Sequence, residues 1–247
     1  MSANFGENFK GLPQEVVDEI LEYLEDDRRA LRACSLTCKV LFRSSRPIIY
    51  RRLTRFHMLL AAAERGLTRY TRELTIKFEF RPVDLQPMLP HLQTFARLTS
   101  LTLHRFNPSP FLPLFERYFG HLAQQIRSLN FVDPSGHRDD LLCFVSRFQN
   151  LDDLGFFSFP RSIQLPLEEY NTPPIRGSPY LRGTLRVVRM MTKGDDFLKC
   201  LTRLPSGLGF RSIEFHDCAG IDPNIILRKC SSTLQNLTHT THISKFR

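Results

Sequence analysis

The chain has 247 residues, 42% of them apolar, which is enough for one large domain, or a small one beside a larger one, around a real hydrophobic core. No apolar run approaches the roughly 18 residues of a membrane-spanning helix, so none is expected. The N-terminal MSANFGENFKG has neither a basic n-region nor an apolar h-region, and six cysteines in a chain this long do not make a disulfide scaffold, so reduced thiols in the cytoplasm and/or nucleus are expected.

Charge is unevenly placed. Lysine and arginine total 34 against 25 acids, a net charge of +9, yet residues 1–50 carry eight acids and seven bases. The whole basic excess therefore lies after residue 50, where a solubilising surface accounts for it more simply than an acidic ligand does.

Leu12-Pro13-Gln14-Glu15 opens a helix: a proline in the first turn loses no hydrogen bond, and Glu15 suits the positive end of the helix dipole. Val16, Val17, Ile20, Leu21 and Leu24 follow at helical spacing and form one broad apolar face. Asp26-Asp27 breaks the pattern. Leu31, Cys34, Leu36, Val40, Leu41 and Phe42 then support one or two further short helices, which Pro47 is expected to end. Three short helices bury little surface alone, so this unit is expected to set its spare apolar face on a partner.

The order LPQEVVDEILEYL, DD, RALRACSLTCKVLF resembles an F-box, the adaptor-binding motif of modular ubiquitin ligases, from about Leu12 to Phe42. Thr37 stands where the family usually has valine, and Leu41 where it often has tryptophan, with Phe42 beside it as a possible substitute. The resemblance implies binding to the Skp-type adaptor of a cullin–RING ligase. It makes Leu12, Pro13, Glu15, Val16, Ile20, Leu21, Leu24 and Leu31 the candidate adaptor contacts, although some of these leucines must instead hold the helices together.

A helix through Ile49, Leu53, Phe56 and Leu60, closing near Gly66, is expected next. A short motif then recurs: RELTIKF, TSLTLHRF, RSLNFVDP, DDLGFFSF, GTLRVVRM, RSIEFHDC and QNLTHTTH. Its first apolar residues are Leu74, Leu101, Leu129, Leu154, Leu185, Ile213 and Leu237, at steps of 24 to 31 residues. Alternation within each motif predicts strands with Leu74/Ile76, Leu101/Leu103, Leu129/Phe131, Leu154/Phe156, Leu185/Val187 and Ile213/Phe215 buried. Helical patterns at 112–122, 141–148, 197–204 and 225–227 lie between them, while 158–183, with five prolines, has no helical period and reads as an irregular crossover. Strand and helix alternating at a steady period predict a solenoid with a parallel sheet on one side. The repeats resemble the irregular leucine-rich repeats that often follow an F-box, but lack the usual asparagine after the strand; only Cys218 suits that place.

Chemistry has little local support. No phosphate-binding glycine loop, G-x-S-x-G or H-E-x-x-H occurs. Cys34 and Cys38, four apart, read as packing residues on one helix face. Cys218, Cys230, His239 and His242 have the residue types of a zinc site without its close-pair spacing. His216 and Cys218 would share one side of a strand, a weak signal for a reactive thiol. Neither catalytic residues, nor a metal, nor a cofactor is expected.

On the concave side the side chains alternating with the buried pairs would face out. Lys77, His104, Val132, Phe157, Arg186, Val188 and His216 are the candidate substrate contacts, a mixed and partly apolar row that suits a protein better than a phosphate backbone. The organisation expected is therefore α/β. An F-box-like helical domain spans 1–46, a linking and capping helix 47–69, and a leucine-rich-repeat-like solenoid of about seven strands 70–247. The function expected is a non-enzymatic substrate receptor of a cullin–RING (SCF-type) ligase that binds the Skp-type adaptor and a protein substrate, not nucleic acid or a membrane. The alternative is a solenoid scaffold or nucleic-acid-binding protein whose F-box-like helices only cap the repeats. The polar final motif, with His239 in place of its second strand hydrophobe, is expected either to cap the solenoid or to be covered by further chain or a partner.

Overall fold

The computed structural model describes residues 12–54, 56–78, 89–158, 181–190, 194–202, 208–218 and 221–240. Three N-terminal helices, α1 (Gln14–Tyr23), α2 (Arg28–Thr37) and α3 (Lys39–Ile49), precede a mixed α/β body. Pro13 sits one place before the first helical residue, and its carbonyl accepts from the Val16 and Val17 N–H groups. Asp27 is more than a break. Its carboxylate accepts from the Arg29 and Ala30 N–H groups at 3.0 Å each and so caps α2.

Pro47 does not end α3, which runs on to Ile49. Ile48 and Ile49 are both buried in a small core with Val17, Leu21 and Leu31, and the Tyr50 N–H still reaches the Arg46 carbonyl at 3.1 Å. Burying two isoleucines outweighs the one hydrogen bond that a proline omits. The boundary expected at residue 46 thus falls inside a helix. The single helix expected from Ile49 to Leu60 is also replaced, by a two-residue strand β1 (Arg52–Leu53) and then α4 (Phe56–Glu64).

The body is an open sheet of eight parallel strands in sequence order, one more than the motif count predicts. After β1 come β2 (Glu73–Lys77), β3 (Ser100–His104), β4 (Ser128–Val132), β5 (Asp153–Phe157), β6 (Thr184–Val188), β7 (Ser212–His216) and β8 (Asn236–Thr240). The extra strand follows from a backbone device that repeats down the chain. The carbonyl just before a strand accepts two successive N–H groups that lead into the next: Arg51 from Arg72 and Glu73, Arg72 from Thr99 and Ser100, Thr99 from Arg127 and Ser128. Two residues carry no period, so β1 has no signature in the sequence.

The predicted register holds. Leu74/Ile76, Leu101/Leu103, Leu129/Phe131, Leu154/Phe156, Leu185/Val187 and Ile213/Phe215 are all buried and align from strand to strand. The connections cover that face with α5 (Phe115–Tyr118), α6 (Arg138–Ser146), α7 (Gly194–Leu201) and α8 (Asn224–Cys230). The helix expected over 112–122 is reduced to one turn of α-helix between two short 3-10 turns. Pro108, Pro110 and Pro113 remove three backbone donors from its start. Phenylalanine fills this core: Phe106, Phe115 and Phe119 surround Phe144 at 4.8 to 5.3 Å between ring centres, and Phe156 meets Phe197 edge-on at 4.6 Å. The proline-rich crossover expected between β5 and β6 lies outside the described residues.

At the far end of the five strands from β3 to β7 the residue that follows turns left-handed. Arg105, Asp133, Ser158, Arg189 and Asp217 all have φ of 53–55°, and each donates its N–H to the last carbonyl of the next strand. That turn overturns the expected His216–Cys218 pairing. Asp217 swings Cys218 into the core, where its Sγ donates to the Val187 carbonyl at 3.4 Å, and burial pushes its thiol pKa up. A raised pKa opposes thiolate chemistry. The equivalent positions Phe106, Pro134 and Met190 are likewise buried.

Candidate functional site

Two surfaces collect the candidate residues. The first lies on the N-terminal helices. Of the eight candidate adaptor contacts, Leu21 and Leu31 are fully buried in the small α1–α2–α3 core and Leu24 packs against it, so these hold the helices together. Leu12, Pro13, Glu15, Val16 and Ile20 are exposed. Tyr23, Leu36, Val40 and Phe42 join them, so seven of the nine large exposed apolar side chains among the described residues lie between Leu12 and Phe42. Their exposure runs from 37% at Val16 to 87% at Leu36, so the three helices carry most of the large apolar side chains left exposed among the described residues.

None of the last four is among the expected adaptor contacts, although Phe42 is named in the sequence beside Leu41 as a substitute for the family's tryptophan. Tyr23 is the helical successor of Leu12, Val16 and Ile20, and that spacing could have found it. Leu41 and Phe42 divide their roles: Leu41 packs on the small core, while Phe42 faces out beneath the Arg46 guanidinium, 4.6 Å from its ring centre. Cys34 closes α2, with its carbonyl accepting from the Thr37 hydroxyl, and Cys38 stands at the N-cap of α3, so the two do not share one helix.

This helical unit is joined to the sheet through charge and one aromatic ring. Arg51 pairs with Glu22 at 2.9 Å and Glu25 at 3.1 Å; Arg52 pairs with Asp26 at 3.1 Å and, on β2, Glu73 at 3.0 Å. Glu73 is the main reason that the Arg52 pKa rises. Tyr50 packs against both hydrophobic cores.

The second surface is the sheet face opposite the connections. Lys77, His104, Val132, Phe157, Val188 and His216 occupy one continuous row of paired positions, the last on each strand from β2 to β7. Arg186 lies in the neighbouring row Thr75, Thr102, Asn130, Gly155, Arg186, Glu214. Its guanidinium meets Glu214 in a two-pronged pair, Nε at 2.5 Å and Nη2 at 3.2 Å, which raises the Arg186 pKa and holds the Glu214 carboxyl below the usual range. His216 shares this group, with Nδ1 2.7 Å from the Thr240 hydroxyl and Nε2 3.6 Å from Glu214.

Gly155 explains the centre of the face. A Cβ there would lie 2.2 Å from the Asn130 Oδ1 and 2.7 Å from the Phe157 ring, so both side chains lean over the bare backbone. Among the described residues no three His, Cys, Asp or Glu side chains cluster as a metal site would need, and no helix is long and apolar enough to cross a membrane. No protein-family model, curated protein or solved structure matches the chain.

Proposed function

We propose that the chain is a non-catalytic substrate-receptor subunit of a cullin–RING ubiquitin ligase. Its N-terminal helices take the Skp-type adaptor, and the open face of its sheet takes a protein substrate. In this reading the strand-and-connection units are irregular leucine-rich repeats, the open face is the concave side of a solenoid, and the chain works in the cytoplasm and/or nucleus. It supplies no acid, base or nucleophile; it raises the local concentration of a substrate beside a ubiquitin-charged enzyme.

One observation carries the reading. A helical unit with a core of its own leaves Leu12, Val16, Ile20, Tyr23, Leu36, Val40 and Phe42 exposed, just where the sequence resembles an adaptor-binding motif. An apolar surface of that kind marks a binding site on an otherwise ordinary exterior. The Leu12→Ala/Pro13→Ala double variant tests it. Truncating a central interface anchor commonly costs more than about 2 kcal/mol, so capture of the adaptor should fall more than tenfold while the sheet melts as before. Unchanged capture would assign the contact elsewhere.

A further inference from the structure

The open face is not uniform along its row, and the change of character has a direction. At one end Lys77 is exposed and His104 is half-buried beside it, with Arg105 turned back by its left-handed backbone and paired to Asp133 at 3.6 Å. Burial first, then Lys77 and Arg105, hold the His104 imidazole below the ordinary histidine range, with Asp133 working against them. An anion brought to this end would relieve that repulsion. In the middle Val132, Phe157 and Val188 are all half-buried, and the Phe157 ring edge leans over Gly155 to make a low apolar shelf. At the other end the polar groups are already engaged, Arg186 with Glu214 in an ion pair and His216 with the Thr240 hydroxyl in a hydrogen bond.

Resting on the assignment of this face to the substrate, we propose that it selects an extended peptide segment with one large apolar side chain and an aspartate or glutamate three to five residues from it. The apolar side chain sits on Val132–Phe157–Val188, and the carboxylate sits at Lys77 and His104. The spacing follows from the sheet. Neighbouring strands are about 4.8 Å apart, so His104 lies about 10 Å and Lys77 about 14 Å from Phe157 along the row. An extended chain advances about 3.3 Å per residue, which spans those distances in three to four residues, and one more reaches the far side of the shelf. A nucleic acid fits less well. With Arg186 neutralised by Glu214, the two rows offer Lys77 as their one full unmatched positive charge among the described residues, whereas phosphate-backbone binding recruits about six to ten such contacts.

A phage-displayed library of random twelve-residue peptides, selected on the full chain, tests this directly. Selected peptides should pair Leu, Ile, Phe or Met with Asp or Glu at a separation of three to five, several-fold more often than the unselected library does. Lys77→Glu should turn the acidic preference into a lysine or arginine preference at the same separation. Phe157→Ser should erase the apolar preference and weaken a selected peptide at least tenfold. Both positions face outward, and an unchanged melting temperature with retained adaptor capture would show each variant to be folded. No enrichment, enrichment without the spacing, or an acidic preference that survives Lys77→Glu would each overturn the proposal. Adaptor capture reads the other surface: its loss with peptide selection intact would sink the receptor reading and leave the selectivity standing, and the reverse result would do the opposite.

Discussion

Glu214 lies on the open face with its side chain 23% exposed and is one of the groups through which that face responds to acid. Arg186 holds its carboxyl below the unfolded value, so the folded state binds this proton less readily than the unfolded chain does. The stabilisation is complete above the ordinary glutamate range and is lost as pH falls through the depressed folded value. Arg186 is 48% exposed and solvent screens the pair, so Glu214→Gln should cost only about 0.3–1 kcal/mol at pH 7. Denaturant titrations of both proteins should give a gap that is constant from pH 7 to about 5 and closes on further acidification. A gap that widens toward acid would reverse the sign of the linkage. Gly155 makes a second case at this scale. Glycine there serves neither a turn nor a positive φ, and only the closeness of Asn130 and Phe157 explains it. Gly155→Ala should destabilise by about 1–3 kcal/mol through overpacking, with part of that recovered by Asn130→Ala. Equal costs with and without Asn130 would mean that Asn130 does not crowd this position. The part of this demand that comes from Asn130, on the neighbouring strand, is invisible along one stretch of sequence.

Among the elements, the strands were the most legible. Alternation assigns each side chain to one face, and one slip reverses them all, so a burial pattern that agrees over six strands fixes the register. Leu129→Asp puts a charge into the centre of the core and should abolish cooperative unfolding or leave the chain insoluble, whereas Thr102→Asp, half-buried on the other face, should be tolerated. Calorimetry on the two variants separates the faces; a well-folded Leu129→Asp would place the register one residue off. The helices were less legible for physical reasons. Pro47 is a poor helix residue whose penalty is outweighed by buried isoleucines that sequence cannot weigh, and the α5 segment has a helical apolar pattern that its prolines break into single turns. The eight adaptor candidates form one class in the sequence, and only the packing of α1 on α2 and α3 sorts Leu21 and Leu31 inward from Leu12, Val16 and Ile20.

The molecule as a whole couples a small helical core to a large sheet core through Tyr50 and the Arg51–Arg52 ion pairs. A helical unit with five buried apolar side chains cannot hold together well alone, so it borrows stability from that junction. Tyr50→Ala with Arg52→Ala should therefore split one thermal transition into two, the helices melting first and the sheet near its original temperature. A single transition, merely shifted, would show that other contacts still couple the helices to the sheet. For the receptor reading this junction matters because it would set how a captured substrate is presented to the adaptor.

The most direct test of that reading is binding between the full chain and a purified Skp-type adaptor, measured by isothermal titration calorimetry with the mass of the complex checked by light scattering. The expected result is a one-to-one complex of micromolar or tighter affinity, with the negative heat-capacity change that burial of Leu12, Val16 and Ile20 would produce. No heat and no complex at 100-fold above micromolar concentration would contradict it, leaving the N-terminal helices as a cap on the sheet and their exposed apolar face without this partner.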